Sequence, residues 1–282
     1  MDIFPLCRGR RFWLVACCMA AAFVLVAGRE EARLPDGRSH AFILDVGQGD
    51  AIVLRSPSGK HILVDAGPDA SVLSGLGHVL PYFDRHLDLV IITHPDTDHL
   101  GGLPEVLRRY DVSALLITPS ALADDNTTAT RALIAQEGSR IIFPDPARDI
   151  DLGDGLLLNL LWPPPHQGAL RTEDPNDLSI VLRAETPSGS LLMMGDLPEQ
   201  EEEMLLAQGI PATADFLKLG HHGSKTSSSK VFLNAVHPSL ALISVGKENR
   251  FGHPSPEVLA RLQELGIPMR STAEEGMIPI SF

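Results

Sequence analysis

The segment THPDTDHLGG (93–102) constrains the fold of this chain more than any other part of it. It places two histidines and two aspartates within six positions, directly after an apolar stretch, LDLVII (87–92), that predicts a buried strand. Carboxylates this close together repel one another unless a cation lies between them. We therefore expect a metal-binding loop at the end of a strand, with further ligands elsewhere in the chain.

Strand-like and helix-like segments alternate along the rest of the sequence. The segment HAFILDVGQGDAIVLRSPSGKHILVDAG (40–67) predicts three strands, and LSIVLRAETPSGSLLMMGD (178–196) predicts a hairpin. Asp196 and the adjacent pair His221 and His222 each follow a predicted strand. This mixture of hairpins and strand–helix units indicates two sheets flanked by helices, with the functional loops at the carboxyl ends of strands.

Composition limits the chemistry of the site and of any substrate. All three cysteines lie in the first eighteen residues, so the globular part has no thiolate metal ligands and no disulfides. The net charge of −13 means that a polyanionic substrate requires bound cations or a local basic patch. A candidate patch lies in the sequence around the motifs of His222 and His253, with an ordinary solvated face as the alternative. Its members are Lys218, Lys225, Lys230, Lys247 and Arg250.

The N-terminal segment FWLVACCMAAAFVLVAG (12–28) carries no charge and is at the short limit for a membrane-spanning helix. We predict an uncleaved anchor over residues 1–28, a linker over 29–39 and one large domain over 40–282. A cleaved signal peptide and a buried helix are the alternatives. Three arginines precede the segment and three follow it, so the positive-inside rule does not set its orientation.

Several motifs together resemble a known family. VDAG (64–67), the 93–102 segment, GD (195–196) and GHHGS (220–224) are similar to the metallo-β-lactamase hydrolase pattern. LDVGQGDAIVL, KLGHHGSKTSS and ISVGKENRFGHPSPEVL narrow the resemblance to the C-terminal hydrolase domain of ComEC, the membrane protein of DNA uptake in competent bacteria. The resemblance covers about residues 40–276. It implies an α/β fold, a four-layer αβ/βα sandwich, here preceded by a single N-terminal hydrophobic helix.

The resemblance also implies a metal site with one or two divalent ions. His94 and Asp96 would hold one ion, Asp98, His99 and His221 the other, with Asp196 bridging them. The superfamily usually has a histidine at the position of Asp96 and another before Asp196, where this chain has NDLS (176–179). Losing two imidazoles makes the site richer in oxygen, which favours Mn²⁺, with Zn²⁺ possible. Such ions would provide a metal-bound hydroxide as the nucleophile.

Other residues receive roles with open alternatives. Asp98, His222 and His253 are candidates for the reaction itself, although His222 could instead only orient a ligand and His253 could be a loop residue. Candidate substrate-binding residues are Lys225, Ser224, Asn176 and Arg250, and Asn176 could equally be a turn former. We interpret Asp65 as structural support. The GQGD segment (47–50) is interpreted as a tight turn between strands.

The sequence thus predicts a metal-dependent phosphodiesterase that acts on DNA and is associated with DNA uptake. We expect a single-pass protein of the bacterial inner membrane, held through residues 12–28, with its hydrolase domain on the extracytoplasmic side. This chain has one hydrophobic stretch at most, so we expect either a separate multi-span channel protein as partner or a truncated or split gene product. The alternatives are a hydrolase of another phosphodiester or ester, and a non-catalytic subunit that docks DNA or a channel.

Overall fold

The computed structural model describes residues 6–165 and 174–282 of the chain. The helices are α1 (Leu6–Glu31), α2 (Val72–Val79), α3 (Thr97–Leu100), α4 (Leu103–Leu107), α5 (Pro119–Ala123), α6 (Thr128–Glu137), α7 (Glu199–Ala207), α8 (Lys230–Val236), α9 (Pro256–Leu265) and α10 (Thr272–Glu275). Short 3₁₀ turns include Asp125–Thr127, Pro175–Leu178 and Gly220–Gly223. The strands are β1 (His40–Ile43), β2 (Ile52–Arg55), β3 (His61–Val64), β4 (His86–Leu87), β5 (Leu89–Ile92), β6 (Asp111–Val112), β7 (Ala114–Ile117), β8 (Arg140–Ile142), β9 (Ile150–Asp151), β10 (Leu157–Trp162), β11 (Val181–Thr186), β12 (Gly189–Met193), β13 (Phe216–Lys218), β14 (Leu240–Ile243), β15 (Met269–Ser271) and β16 (Ile278–Ser281).

Fourteen of these strands form two seven-stranded sheets, in the orders β16-β1-β2-β3-β5-β7-β8 and β15-β14-β13-β12-β11-β10-β9. Each sheet is antiparallel on one side and parallel on the other: β3, β5, β7 and β8 run parallel in the first, and β12 to β15 in the second. The two sheets therefore share one pattern, although no repeat is visible in the sequence. Their parallel halves bring several loops together at strand ends.

The sheets pack face to face through a buried apolar core that joins residues of both, among them Ile43 and Ile91 from the first and Leu158 and Leu182 from the second. A second core lies between the first sheet and α2, α4 and α6, and a third lies between the second sheet and α7, α8 and α9. This arrangement gives helix, sheet, sheet and helix layers. The predicted four-layer αβ/βα sandwich is confirmed.

The end of the chain completes both sheets in a way that the sequence did not predict. Strand β15 extends the second sheet, and β16 pairs antiparallel with β1, with Ser281 opposite His40. Both strands are only three or four residues long, so their apolar alternation is too brief to stand out in the sequence.

The loop after β5 continues into two short helices, α3 and α4. Gly101 and Gly102 separate them, and a Cβ atom on either would lie 2.1 Å from a backbone oxygen, that of Pro68 or Ala66. The two glycines therefore allow the loop that carries the histidines and aspartates to pack against the backbone that follows β3.

Helix α1 covers the segment predicted as an anchor, apart from residues 1–5, which lie outside the described residues. Its exposed large apolar side chains are Trp13, Val15, Met19, Phe23, Val24, Leu25 and Val26. Just beyond its end, Arg33 donates hydrogen bonds to the carbonyl oxygens of Gly77 and His78. Within the described ranges, no helix combines the length and the hydropathy needed to cross a bilayer.

Candidate metal centre

Four loops bring ionisable side chains to one edge of the two sheets. His94 to His99 follow β5, Asp196 follows β12, and His221 and His222 follow β13. The fourth loop joins β1 to β2 and carries Asp50, which the sequence analysis interpreted only as part of a turn. Most of these side chains are almost fully buried.

The Asp65 carboxylate fixes the orientation of His99. It accepts hydrogen bonds from the backbone N–H and the hydroxyl of Thr93, both at 2.8 Å. Its Oδ2 atom also lies 2.8 Å from Nδ1 of His99, so Nδ1 carries the proton and donates it. The other ring nitrogen, Nε2, then presents a lone pair toward Oδ1 of Asp196, at 3.2 Å. Asp65 thus occupies the supporting position expected from the sequence.

The same chain of hydrogen bonds fixes His94. The Thr93 hydroxyl donates to Asp65, so its oxygen accepts from Nδ1 of His94, at 3.0 Å. Nε2 of His94 is left facing the carboxylates of Asp96 and Asp196, with 3.9 Å to each. Burial lowers the pKa of His94 to about 3, helped by the neighbouring His99, so this imidazole is neutral and able to act as a ligand.

His221 and His222 both have left-handed backbone conformations, with φ angles of 49° and 53°, and their side chains lie in different parts of the site. Nε2 of His222 lies 3.3 Å from Oδ2 of Asp98 and 3.6 Å from Oδ2 of Asp196. His221 also approaches Asp196, at 3.6 Å, but it is partly exposed at the mouth of the site.

This placement differs from the prediction, which made His221 a ligand and gave His222 a role outside the ligand set. The strained backbone turns His222 inward, where its Nδ1 lies 3.0 Å from the carbonyl oxygen of Ser244. His222 therefore belongs to the buried cluster, and His221 lines its entrance.

The cluster requires a positive charge at its centre. Each of the three inner histidines has its Nε2 buried without a hydrogen-bond partner, as does Oδ1 of Asp196. Imidazole lone pairs aimed at carboxylate oxygens repel them unless a proton or a metal ion lies between. Burial alone would lower the pKa of His99, but the Asp196 and Asp65 carboxylates outweigh it and raise that pKa well above its usual value.

The donor atoms fit a divalent ion. One ligand atom from each of Asp50, His99, Asp196 and His222 lies within 4.8 Å of the others. Imidazole nitrogens and carboxylate oxygens are the usual ligands of Zn²⁺ and Mn²⁺ sites. In such sites the second nitrogen of each imidazole is held by a hydrogen bond. Asp98 and His94 border this group through the contacts with His222 and Asp196.

Asp96 lies at the edge of the cluster rather than within it. Its side chain is 41% exposed, and Oδ2 is 3.9 Å from Nε2 of His94. Burial, together with the nearby Asp98 carboxylate, raises its pKa. Asp96 is thus positioned to complete the coordination of an ion held by His94.

Two residues of the site were missed by sequence reasoning. Asp50 is buried, with Oδ1 3.2 Å from Nδ1 of His222, and Lys218 Nζ lies 2.5 Å from Oδ2 of Asp50. The predicted role of Lys218 in a DNA-binding patch is wrong, because its side chain is 1% exposed. A lysine inside the otherwise apolar strand segment DFLKLG was the signal that could have indicated a buried partner.

The basic patch is consequently smaller than predicted. Lys230 forms an ion pair with Glu264, whereas Lys225, Lys247 and Arg250 are exposed. The ring of His253 lies 5.9 Å from that of His221, and its buried Nδ1 has no hydrogen-bond partner. Burial and the neighbouring His221 lower the pKa of His253, so it is neutral at pH 7.

Two predicted substrate-binding residues are buried. The Ser224 hydroxyl lies 2.9 Å from that of Thr226, so it stabilises the histidine turn instead of facing solvent. Asn176 lies in the 3₁₀ turn Pro175–Leu178, where its N–H donates to Asp174 and its Oδ1 has no hydrogen-bond partner. The structure therefore removes Ser224 from the exposed surface and leaves Asn176 able to accept one hydrogen bond.

A cavity of about 200 Å³ opens beside His94. Its walls include Ala121 and Ala123 of α5, Asp125, and Leu178. Among the described residues that line it, none is a lysine or an arginine. The cavity is thus suited to an uncharged, hydrogen-bond-donating group rather than to a phosphate.

Comparison with known proteins agrees with this geometry. The sequence profile of the Metallo-beta-lactamase superfamily matches residues 44–247. The structure is similar to that of the metallo-beta-lactamase fold protein YhfI from Bacillus subtilis, with a TM-score of 0.60, 14% identity, and coverage of 87% of this chain and 100% of YhfI. At that identity the likeness concerns the fold alone.

Two curated relatives are competence proteins, as the motifs indicated. ComE operon protein 3 of Bacillus subtilis (strain 168) is 30% identical over 256 residues, which are 84% of this chain and 32% of that protein. Competence protein ComA of Neisseria gonorrhoeae is 31% identical over 281 residues, which are 98% of this chain and 36% of that protein. The chain spans about a third of the length of these relatives. It belongs to the metallo-beta-lactamase superfamily, with the fold and the His/Asp cluster of a metal-dependent hydrolase, and the resemblance to the ComEC family is confirmed.

Proposed function

We propose that this protein is a metal-dependent phosphodiester hydrolase that acts on DNA. The observation that carries the proposal is the set of three buried imidazoles whose Nε2 atoms converge on Asp196 without hydrogen-bond partners. Divalent ions held there would lower the pKa of bound water and neutralise the charge that develops on a phosphodiester. The competence relatives support DNA as the substrate.

The residues of the chain divide the remaining work by position. Asp65 and Thr93 hold His99 and His94 in the tautomer that leaves Nε2 free, so the ligands are oriented before an ion binds. Asp98 faces His222 at the inner wall, where it would orient the attacking water. His221 and His253 stand at the entrance, close to where a leaving oxygen would need a hydrogen bond or a proton.

The charged side chains around the entrance of the site favour one direction of approach for the substrate. Lys225, Lys247 and Arg250 are exposed, lie within the sequence segments that carry His222 and His253, and would bind backbone phosphates. The cavity beside His94 contains a carboxylate from Asp125 and no basic side chain among the described residues that line it. We propose that the phosphate chain approaches over the basic residues and that the nucleoside next to the scissile phosphate enters the cavity.

We propose one or two ions, with Mn²⁺ favoured and Zn²⁺ as the alternative. Asp96 provides oxygen where an imidazole would favour Zn²⁺, and Asp98 and Asp196 add further carboxylate oxygens. Removing bound metal and adding back each ion separately, with DNA cleavage as the readout, ranks the two.

We also propose that the protein is attached to a membrane and acts with a partner protein. The exposed apolar side chains of α1 support attachment to a membrane through residues 12–28, with the domain on the extracytoplasmic side of the bacterial inner membrane. A separate multi-span channel protein is the partner that the resemblance to the ComEC family implies. Flotation of the full chain with lipid vesicles, and protease accessibility of the domain in spheroplasts, test the attachment and its side.

Cleavage of labelled single- and double-stranded DNA by the full chain tests the function. We expect cleavage with Mn²⁺, none in chelator, and none in an Asp98→Ala/His99→Ala variant. Hydrolysis of simple phosphodiesters without DNA cleavage would favour the alternative of another phosphodiester substrate. Metal-independent DNA binding without hydrolysis of any ester would favour a docking subunit.

A further inference from the structure

Lys218 is one of the largest side chains that are fully buried in this protein. It is the last residue of β13, three positions before the histidine turn. A lysine is almost never buried to this extent unless it is paired, because removing its charge from water costs several kcal/mol. Its Nζ atom donates to Oδ2 of Asp50, at 2.5 Å, and to the carbonyl oxygen of Leu219, at 3.0 Å.

Asp50 carries the effect of Lys218 to His222. Its Oδ1 atom lies 3.2 Å from Nδ1 of His222, an electrostatic contact without a hydrogen bond, and the carbonyl oxygen of Ser244 accepts the hydrogen bond of the same nitrogen, at 3.0 Å. Both neighbours are acceptors, so Nδ1 must carry a proton and Nε2 is left as the lone pair that faces Asp98 and Asp196. The tautomer of His222 is therefore set by its contacts on the Nδ1 side.

The backbone of Asp50 is equally constrained. Its N–H donates to the carbonyl oxygen of Asp98, at 3.1 Å, and its own carbonyl oxygen accepts from Gly67, at 2.8 Å. A Cβ atom on the preceding Gly49 would lie 2.2 Å from the Asp98 oxygen, so only glycine permits this approach. The turn between β1 and β2 is thus built into the cluster.

The two oriented histidines are supported differently. At His99, the supporting carboxylate is that of Asp65. It also accepts hydrogen bonds from the backbone N–H and the hydroxyl of Thr93, which are neutral donors. At His222, the corresponding contact of Asp50 is the charged ammonium of Lys218. An ammonium at this distance occupies Oδ2 and repels a metal ion from it.

We propose that Lys218 is a positioning residue for the metal centre: it holds Asp50 against Nδ1 of His222, so that Asp50 orients a ligand and does not become one. This inference rests on the proposed metal site but not on DNA as the substrate. It assigns the GQGD turn a role in ligand orientation instead of in coordination.

The experiment measures Mn²⁺ and Zn²⁺ binding to the metal-free full chain by calorimetry, with metal content determined separately. The variants are Lys218→Met, Asp50→Asn and the double variant, which removes both charges of the pair. Lys60→Met is the matched control, because Lys60 also donates to a backbone carbonyl, that of Leu152, but lies outside the cluster. Urea unfolding of each metal-free protein reports on stability independently of metal.

We expect both single variants to bind Mn²⁺ about 10- to 100-fold more weakly, as is typical when a ligand loses its orienting partner. The double variant should be no weaker than the worse single variant, because the two residues act through one contact. Lys60→Met should bind as wild type does. If Lys218→Met does not fold, the double variant, which leaves no unpaired buried charge, provides the same test.

Wild-type affinity in the double variant would overturn the proposal, as would tighter binding in Lys218→Met with an additional ligand from Asp50. Failure of the wild type to bind either ion would overturn both this inference and the proposed function. Normal metal binding without DNA cleavage would refute the proposed substrate and leave the role of Lys218 standing.

Discussion

Glu202 gives a prediction whose magnitude follows from the structure. This α7 residue is fully buried, and its carboxylate accepts hydrogen bonds from the backbone N–H groups of Ser228 and Ser229, at 2.6 and 2.9 Å. Ser228 has a φ of 57°, so Glu202 stabilises a strained turn at the start of α8. Burial outweighs these hydrogen bonds and raises the pKa of Glu202 from 4.5 to about 7.

The sign of the pH effect follows from that direction. Between pH 4.5 and 7 the folded protein binds more protons at Glu202 than the unfolded chain does, so the free energy of unfolding falls as the pH rises. At about 1.4 kcal/mol per pH unit, Glu202 lowers stability by about 3 kcal/mol across this window. The loss is complete above about pH 7 and absent below about pH 4.5.

Glu202→Gln removes this titration while keeping the shape of the side chain. At pH 5 we expect the variant to be less stable than wild type by about 1–2 kcal/mol, because its amide nitrogen faces a backbone N–H. At pH 8.5 the order should reverse, because the variant avoids burying a charge. Urea unfolding of the metal-free protein at both pH values measures the change, with the exposed neighbour substitution Glu203→Gln as control. An equal difference between Glu202→Gln and wild type at both pH values would refute the reasoning.

Three further predictions concern the site. Asp65→Asn replaces an acceptor of three hydrogen bonds, so Mn²⁺ affinity measured by calorimetry should fall about 10- to 100-fold, and unchanged affinity would contradict the role given to Asp65. Ala123→Trp fills the cavity, so KM should rise about tenfold, a loss of about 1.4 kcal/mol, for thymidine p-nitrophenyl phosphate but not for methyl p-nitrophenyl phosphate. Equal effects on both esters would show that no nucleoside enters it. The double variant Lys225→Ala/Arg250→Ala should reduce the magnitude of the slope of log affinity for DNA against log salt concentration by about 2. An unchanged slope would exclude Lys225 and Arg250 as phosphate contacts.

The sequence predicted the structure best where a motif of ionisable residues follows an apolar strand. The apolar run 87–92 followed by the 93–102 segment predicted both a buried strand and the loop that bears the site, and the structure has strand β5 over Leu89–Ile92 with that loop after it. The four layers followed from the family resemblance together with the alternation of elements. These features involve residues that are close in the sequence, or an alternation of apolar and polar residues with a period of two. A single sequence shows both well.

Contacts between distant segments could not be read in this way. Asp50 and Lys218 are 168 positions apart, and their pairing depends on how the turn after β1 meets the end of β13. The placement of His222 inside the cluster and of His221 at its entrance depends on two consecutive left-handed residues, which histidine does not signal. The burial of Ser224 and Lys218 likewise follows from tertiary packing, because composition alone cannot separate an exposed basic or polar residue from a buried one.

We propose that the buried histidine and aspartate cluster holds the ions required for phosphodiester hydrolysis. The most direct measurement adds Mn²⁺ stepwise to the metal-free full chain and follows DNA cleavage and bound metal together, in wild type and in an Asp196→Asn variant. Asp196 is chosen because it contacts His94, His99 and His222. The account predicts that cleavage rises with bound metal, saturates at one or two ions per chain, and is lost with Asp196→Asn. Cleavage that is independent of metal, or retained in full by Asp196→Asn, would contradict it.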